Sequence, residues 1–238
     1  MAHLILDPIV ELDTLTSLIS QAVKVLDAGA SGRFESRKRE LQALIRGQQN
    51  EIAFGLANEK PIVTVNSLEY KGLQDGQASP VSAEFSFNWS LRRVGATGKF
   101  EVRGGGTNVA FKNQNGDVLR QFHFDACRGG QDAAGGIAHH PFSHFQYKGD
   151  ALADLPRIPS LVLTPSDVLE QTLLDLWPKQ WHTIAAGSKG KAQLKTHHNG
   201  QKRRVEKIAL KFIDHMKTAV LPLRGLQAPL AADFDLHL

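Results

Sequence analysis

A run of strict alternation between apolar and polar residues is the strongest constraint on the fold of this chain. In AEFSFNWSL, Phe85, Phe87 and Trp89 alternate with serine and asparagine. Side chains two residues apart on a strand share a face, so the run predicts a strand with one buried side. PIVTVNSLEY, GKFEVRGG, TNVAFKNQNGDVLRQFHF and HHPFSHFQYK are also β-rich. We therefore predict a sheet over about residues 61–148.

Apolar residues at helical spacing predict helices on both sides of this sheet. The predicted helices are Asp13–Leu26 with Asp13 or Thr14 as cap, about Glu35–Leu56, Pro165–Trp177 with Thr164 as cap, and about Gln201–Ala219. The order of helices, strands and helices indicates an α+β fold, in which a mainly antiparallel sheet is flanked by N-terminal and C-terminal helices.

The same order divides the chain into three segments. Residues 1–57 form an N-terminal helical segment, 58–185 an antiparallel sheet core with one helix, and 186–238 a basic C-terminal helical segment and tail. A chain of 238 residues with 42% hydrophobic residues has the size and core of one compact domain. Residues 187–200 are polar and basic, and we expect a mobile linker there.

Asn115-Gly116 predicts the turn of a hairpin, because both residue types tolerate positive φ. A two-residue loop there sets the register of the hairpin. It would pair Gln114 with Asp117, Val109 with Phe122, Asn108 with His123, Thr107 with Phe124 and Gly106 with Asp125. The triple glycine at 104–106 predicts a β-bulge at the far end.

Four of the ten histidines lie in QFHFDAC and HHPFSHFQYK. Alternation in the first run directs Phe122 and Phe124 to the core and His123 and Asp125 away from it. If the two runs pair as strands, they gather one polar patch composed of His123, Asp125, His144 and Gln146.

A pair of histidines held across a sheet can cleave RNA without metal. One neutral imidazole takes the 2′-hydroxyl proton, and a protonated imidazole donates to the leaving 5′-oxygen. We predict His123 and His144 for these roles, with His140 able to replace either. The remaining predicted site residues are Asp125, which would orient an imidazole, Gln146 in the patch, and Lys148 or Arg157 beside the phosphate. The alternative is that these histidines are only structural residues of the sheet.

A zinc site built from His123, Asp125 and either His140 or His144 is a further alternative. The chain has no HExxH motif and no carboxylate cluster for paired magnesium ions, so we predict neither a metal nor another cofactor. His197 and His198 lie among lysines and are expected to face solvent. Cys127 is the single cysteine, which excludes an intrachain disulfide and suits a reducing cytoplasm.

Positive charge is concentrated between Lys189 and Lys217. This stretch holds nine Lys or Arg residues and only two acidic residues, whereas the whole chain has a net charge of +4. Basic clusters bind phosphates by releasing counterions, so we predict a nucleic-acid partner, RNA rather than DNA. The predicted contacts are Lys189, Lys191, Lys195, Lys202, Arg203, Arg204, Lys207 and Lys211, together with Lys148 and Arg157. A solvated helix face is the plain alternative.

These features favour a cytoplasmic protein that engages nucleic acid, with no membrane association. The N-terminal sequence has no signal-peptide pattern, and no apolar run is long enough to span a bilayer. The leading hypothesis is a histidine-dependent ribonuclease of toxin or defence type. One alternative is a non-catalytic nucleic-acid-binding subunit of a larger nucleoprotein or antiviral defence assembly, with a protein partner. The other is a small-ligand sensor whose pocket is lined by His123, His144 and Arg157.

Overall fold

The computed structural model describes residues 3–56, 61–70, 79–126, 143–148, 158–159, 163–218 and 235–237. The described strands are β1 (His3–Leu6), β2 (Glu51–Gly55), β3 (Ile62–Val63), β4 (Val81–Val94), β5 (Lys99–Asn113), β6 (Val118–Ala126), β7 (Ser143–Lys148), β8 (Ile158–Pro159) and β9 (Asp235–His237). The described helices are α1 (Pro8–Gln21), α2 (Ala30–Arg46), α3 (Pro165–Leu176), α4 (Pro178–Ala186) and α5 (Ser188–Thr218). None of these helices combines the length and apolar character needed to cross a bilayer.

The sheet has the strand order β2-β4-β5-β6-β7-β8, and every neighbouring pair along it is antiparallel. Off this path, β3 pairs with β4, while β1 pairs with β5 and, in parallel, with β9. Helices α2 and α3 pack against strands of the sheet. The predicted α+β fold, with a mainly antiparallel sheet and helices at both ends, is confirmed.

The alternating run that predicted a half-buried strand lies at the centre of β4. Phe85, Phe87 and Trp89 are fully buried. They share the hydrophobic core with Leu41 of α2 and Leu173 of α3. The predicted strand and its buried face are therefore confirmed.

Both N-terminal helices differ from their predicted bounds. Helix α1 begins at Pro8 rather than Asp13, because Asp7 is the N-cap and its side chain accepts hydrogen bonds from the amides of Ile9 and Val10. Helix α2 ends at Arg46 instead of Leu56. The residues that follow form β2, in which Ile52 and Phe54 alternate with exposed positions and are buried.

The β5–β6 hairpin closes with a different loop from the predicted one but keeps the predicted register. The Asn113 amide donates to Asp117 O, and the Gly116 amide donates to Asn113 O, each at 3.0 Å, so the loop has three residues and the pair Gln114–Asp117 is wrong. A register shift between Phe111 and Lys112 follows, which leaves Leu119 without an opposite residue in β5. The extra residue of the loop and the extra residue Leu119 in β6 cancel each other in the register. The four predicted pairs from Val109–Phe122 to Gly106–Asp125 are therefore confirmed.

A bulge lies next to the triple glycine, but it is in the ladder between β4 and β5 and not in the β5–β6 hairpin where it was predicted. Ser90 pairs with Gly104 and Leu91 pairs with Val102, so Arg103 is the extra residue in β5. Gly105 has a φ of +117°. A Cβ at Gly105 would overlap the backbone of Asn88 and Trp89, which explains why this position needs glycine.

Of the C-terminal helices, α3 has nearly the predicted bounds, α4 was not predicted, and α5 is longer than predicted. Helix α3 has the expected cap, in which Thr164 and Asp167 exchange side-chain hydrogen bonds with each other's amides. The expected mobile linker at 187–200 is wrong, because α5 already begins at Ser188. Leu194 and His197 are buried in this part of the helix, so tertiary packing fixes a stretch whose polar composition indicated a linker.

Candidate functional site

The strand register places the predicted polar patch on adjacent positions of β6 and β7. Asp125 pairs with His144, and His123 pairs with Gln146. Lys148 pairs with Gln121 on the same two strands. His140 and Arg157 lie outside the described residues, as do the side chains of His144, Gln146 and Lys148. The backbone therefore brings together four predicted positions, and the described side chains there are those of His123 and Asp125.

Both ring nitrogens of His123 face oxygen atoms. Nδ1 lies 2.5 Å from Oδ1 of Asn108 on β5, and Nε2 contacts Oδ1 of Asp125 on the same strand. The His123 and Asp125 side chains keep 19% and 22% of their surface exposed. These contacts fix the orientation of the ring, so in this conformation His123 has no uncommitted nitrogen to offer a substrate.

Gly106 makes this contact geometry possible. It pairs with Asp125 across the hairpin, and a Cβ at Gly106 would overlap the Asp125 carboxylate. On the opposite face, Phe122 and Phe124 pack against the hydrophobic core. The alternation of β6 thus holds the imidazole and the carboxylate on the side of the sheet away from that core.

A second cluster of titratable side chains joins α3 to α5. Glu170 Oε2 lies 3.0 Å from His197 Nε2, and Glu170 Oε1 lies 2.7 Å from His198 Nε2. Gln201 Nε2 is 3.0 Å from both Glu170 Oε2 and His197 Nε2. The side chains of His197 and Glu170 are only 4% and 9% exposed, whereas that of His198 is 41% exposed. The expectation that both histidines face solvent is therefore wrong for His197.

The two imidazoles hold Glu170 in its ionised form. Burial by itself would raise the pKa of this carboxyl, but the hydrogen bonds from His197 and His198, with the positive charge these rings carry when protonated, outweigh burial and lower the pKa to about 2. Glu170 is consequently a carboxylate throughout the physiological pH range.

Two further buried acids extend this network to α1. Arg204 Nη2 lies 2.6 Å from both Asp167 oxygens. Glu11 of α1 accepts hydrogen bonds from the Ser166 amide at 2.7 Å and from its hydroxyl at 2.9 Å. Burial, and then the nearby Asp167 charge, raise the pKa of Glu11. The polar interior thus connects α1, α3 and α5.

The predicted phosphate-binding residues of the C-terminal segment all lie on α5. Five of them are exposed and form no ion pair with any residue that the structure describes, namely Lys189, Lys191, Lys195, Lys202 and Arg203. Lys207 is exposed and has an interaction partner. Arg204 is instead buried against Asp167, and the side chain of Lys211 lies outside the described part of the chain.

A cavity of about 560 Å³ separates α5 from the start of α1. His197 and Glu11 line it together with Arg203, Arg204 and Lys207. The buried network of α3 and α5 therefore borders a space large enough for water and small solutes.

The α3–α5 cluster also has a signal in the sequence, although the predicted sites did not include it. Leu194, His197, Gln201, Arg204 and Ile208 follow the spacing of one helical face. A stripe bounded by apolar residues but polar in its middle predicts buried polar side chains, and such side chains need partners. Asp167 and Glu170, one turn apart on the capped helix α3, supply those partners.

Comparison with protein-family models, with curated proteins and with solved structures finds no match to this chain.

Proposed function

We propose that the protein binds nucleic acid through α5, by contacts with the phosphate backbone. The observation that carries this proposal is the set of five exposed cations on α5 without an acidic partner among the described residues. Cations that are not neutralised within the protein create a positive potential and attract polyanions.

Three of these cations lie along one line of the helix. Lys191, Lys195 and Lys202 are separated by whole turns, so they project from the same side of α5. A helix of 31 residues is about 45 Å long, which exceeds one duplex turn of about 34–36 Å. No aromatic residue interrupts residues 187–204. These features favour contacts with phosphates over stacking on bases.

The proposal also names a ligand, a compartment and a partner. RNA in the cytoplasm is the proposed ligand, and the single cysteine suits that reducing compartment. A helix that contacts only the backbone reads no sequence, so the protein would act as a binding subunit of a larger nucleoprotein or defence assembly, beside a protein partner that supplies specificity.

Replacing Lys191, Lys195 and Lys202 together by glutamine should weaken nucleic-acid binding and its dependence on salt. Each phosphate-contacting cation contributes about 0.9 to the slope of log K against log salt on duplexes and about 0.7 on single strands. We therefore expect the slope to fall by about 2.7 on a duplex and about 2.1 on single-stranded RNA. Fluorescence anisotropy between about 50 and 200 mM salt measures both quantities.

The matched control replaces Lys24, Arg39 and Lys99, which are exposed and distant in sequence from α5, by glutamine. This variant loses the same charge, so its salt slope should stay close to that of the unmodified protein. Equal effects of the two triple variants would show that net charge, rather than α5, governs binding, and would contradict the proposal. The absence of binding by the unmodified protein at low salt would do so as well.

RNA cleavage at the patch of His123, Asp125, His144 and Gln146 is the second candidate function. The register that pairs Asp125 with His144 favours it, because the two predicted acid–base positions lie on adjacent strands. In this function His123 must exchange its contact with Asp125 for one with the substrate.

His123→Ala and His144→Ala should each abolish cleavage of RNA while far-UV circular dichroism stays unchanged. The products should carry cyclic 2′,3′-phosphate ends, and DNA should resist because it lacks the 2′-hydroxyl nucleophile. His182→Ala, at an exposed position on α4, is the control and should keep full activity. Full activity in both patch variants would reject the ribonuclease.

A further inference from the structure

Glu170, His197 and His198 present a metal-ligand set that the predicted function does not use. Their ligand atoms, one carboxylate oxygen and two imidazole nitrogens, all lie within 4.8 Å of one another. Two histidines and one carboxylate are a frequent set of protein ligands for zinc, with a fourth position left to water or another oxygen. Although His197 and His198 are adjacent on α5, both rings reach the same carboxylate, and their centroids are 5.5 Å apart.

No placement of hydrogen atoms gives every contact in this cluster both a donor and an acceptor. Glu170 Oε2, His197 Nε2 and the Gln201 amide nitrogen form a triangle in which the three atoms are 3.0 Å apart. If His197 Nε2 carries a hydrogen, it faces the amide donor of Gln201. If Nε2 is bare, its lone pair faces the carboxylate. Exchanging the amide oxygen and nitrogen of Gln201 brings two oxygens together instead. With Glu170 as a carboxylate, every one of these assignments leaves at least one contact between like groups.

A cation resolves this conflict because it accepts lone pairs from several ligands at once. Zinc bonds of about 2.0–2.1 Å in tetrahedral geometry separate neighbouring ligand atoms by about 3.3 Å. His197 Nε2 lies 3.0 Å from Glu170 Oε2 and His198 Nε2 lies 2.7 Å from Glu170 Oε1, so each imidazole is near a different oxygen of the carboxylate. The three ligand atoms lie within 4.8 Å of one another, so a rotation of the carboxylate with a small expansion would let one metal ion bind both imidazoles and Glu170. Gln201, with its oxygen turned inward, or a water molecule would complete the tetrahedron.

We propose that Glu170, His197 and His198 bind a divalent transition metal, zinc by preference, which links α3 to α5. An entry path exists, because His198 is 41% exposed and His197 lines the cavity between α1 and α5. Nitrogen and carboxylate donors together favour zinc over calcium and magnesium, which take oxygen ligands. This proposal does not depend on nucleic-acid binding.

The test uses the untagged chain after treatment with a chelator, titrated with zinc and with cobalt. We expect one metal ion per chain by calorimetry and a visible cobalt spectrum of tetrahedral type. Metal at about 100 times Kd should raise Tm by roughly 5–10 °C.

His198→Ala and Glu170→Gln should weaken metal binding by more than the roughly 10- to 100-fold that the loss of an outer-shell partner costs. The first removes a part-exposed side chain and the second preserves shape, so both variants should remain folded. His182→Ala is the matched control and should bind as the unmodified protein does. Failure of the folded protein to bind one equivalent of either metal would overturn the proposal. Binding that survives both ligand substitutions would overturn it too.

Discussion

Replacing Asp167 by alanine is expected to lower the free energy of unfolding by about 3–5 kcal/mol, because it leaves a buried guanidinium without its partner. The Arg204 side chain is only 10% exposed, and its Nη2 contacts both Asp167 oxygens. The same substitution removes the Asp167 carboxylate from the cap of α3, where it accepts from the Thr164 amide at 2.8 Å. Loss of this capping-box hydrogen bond adds to the effect.

Urea denaturation followed by circular dichroism measures this loss. Asp175→Ala, at an exposed position on the same helix, is the control and should change stability by no more than about 0.5 kcal/mol. The double variant Asp167→Ala/Arg204→Met should recover part of the loss, since neither charge is then left buried alone. Equal stability of Asp167→Ala and Asp175→Ala would show that the pair contributes little to folding.

The second large effect is expected at Gly105, where alanine should destabilise the protein by about 3 kcal/mol or more. The φ of +117° lies in a region that side chains rarely adopt. An added Cβ would also lie 2.7 Å from Trp89 Cα and overlap the carbonyl oxygen of Asn88. Both are backbone atoms of β4, so relief requires the two central strands to separate.

Gly104→Ala is the matched control for this substitution. Gly104 has no positive φ, and nothing lies within 4 Å of a Cβ built on it. Alanine there should be tolerated or should stabilise slightly through the unfolded state. Denaturation in urea gives both values, and near-UV circular dichroism reports on the packing of the buried Trp89. A Gly105 variant as stable as the Gly104 variant would contradict the requirement for glycine at position 105.

Sequence patterns predicted those elements whose signals are local. Alternation around Phe87 located β4, and the Thr164-Pro165 pair located the start of α3. The register that pairs His123 with Asn108 was also correct, although it was counted from a turn that does not form as expected. Burial of Val109 and packing of Phe122 on one face exclude a slip of the register by one residue, so the core maintains this register. The extra residue of the loop is offset by a register shift close to the turn.

The elements that sequence did not predict depend on partners far along the chain. The first turns of α5 are polar, and their helix is stabilised by burial of Leu194 and His197. Strand β1 is four residues long and is stabilised by pairing with β5 and β9. No local pattern contains the pairing of β1, whereas Leu194 and His197 do belong to the helical-face spacing of α5.

The two clusters of titratable groups differ, for the same reason, in how far the sequence predicts them. The β6–β7 patch follows from strand alternation and pairing, both of which the sequence shows directly. Contact between Glu170 and the two histidines of α5 requires the angle at which α3 and α5 pack, and that angle is set by the whole core.

Strand β1 also determines when this fold can be completed as the chain is made. On one side it pairs with β5 and on the other with β9, so its last neighbour is translated almost a full chain length after it. Until β9 leaves the ribosome, the free edge of β1 exposes unpaired peptide groups to other nascent chains. That edge of β1 is therefore open to mispairing from the time β1 is made until β9 pairs with it.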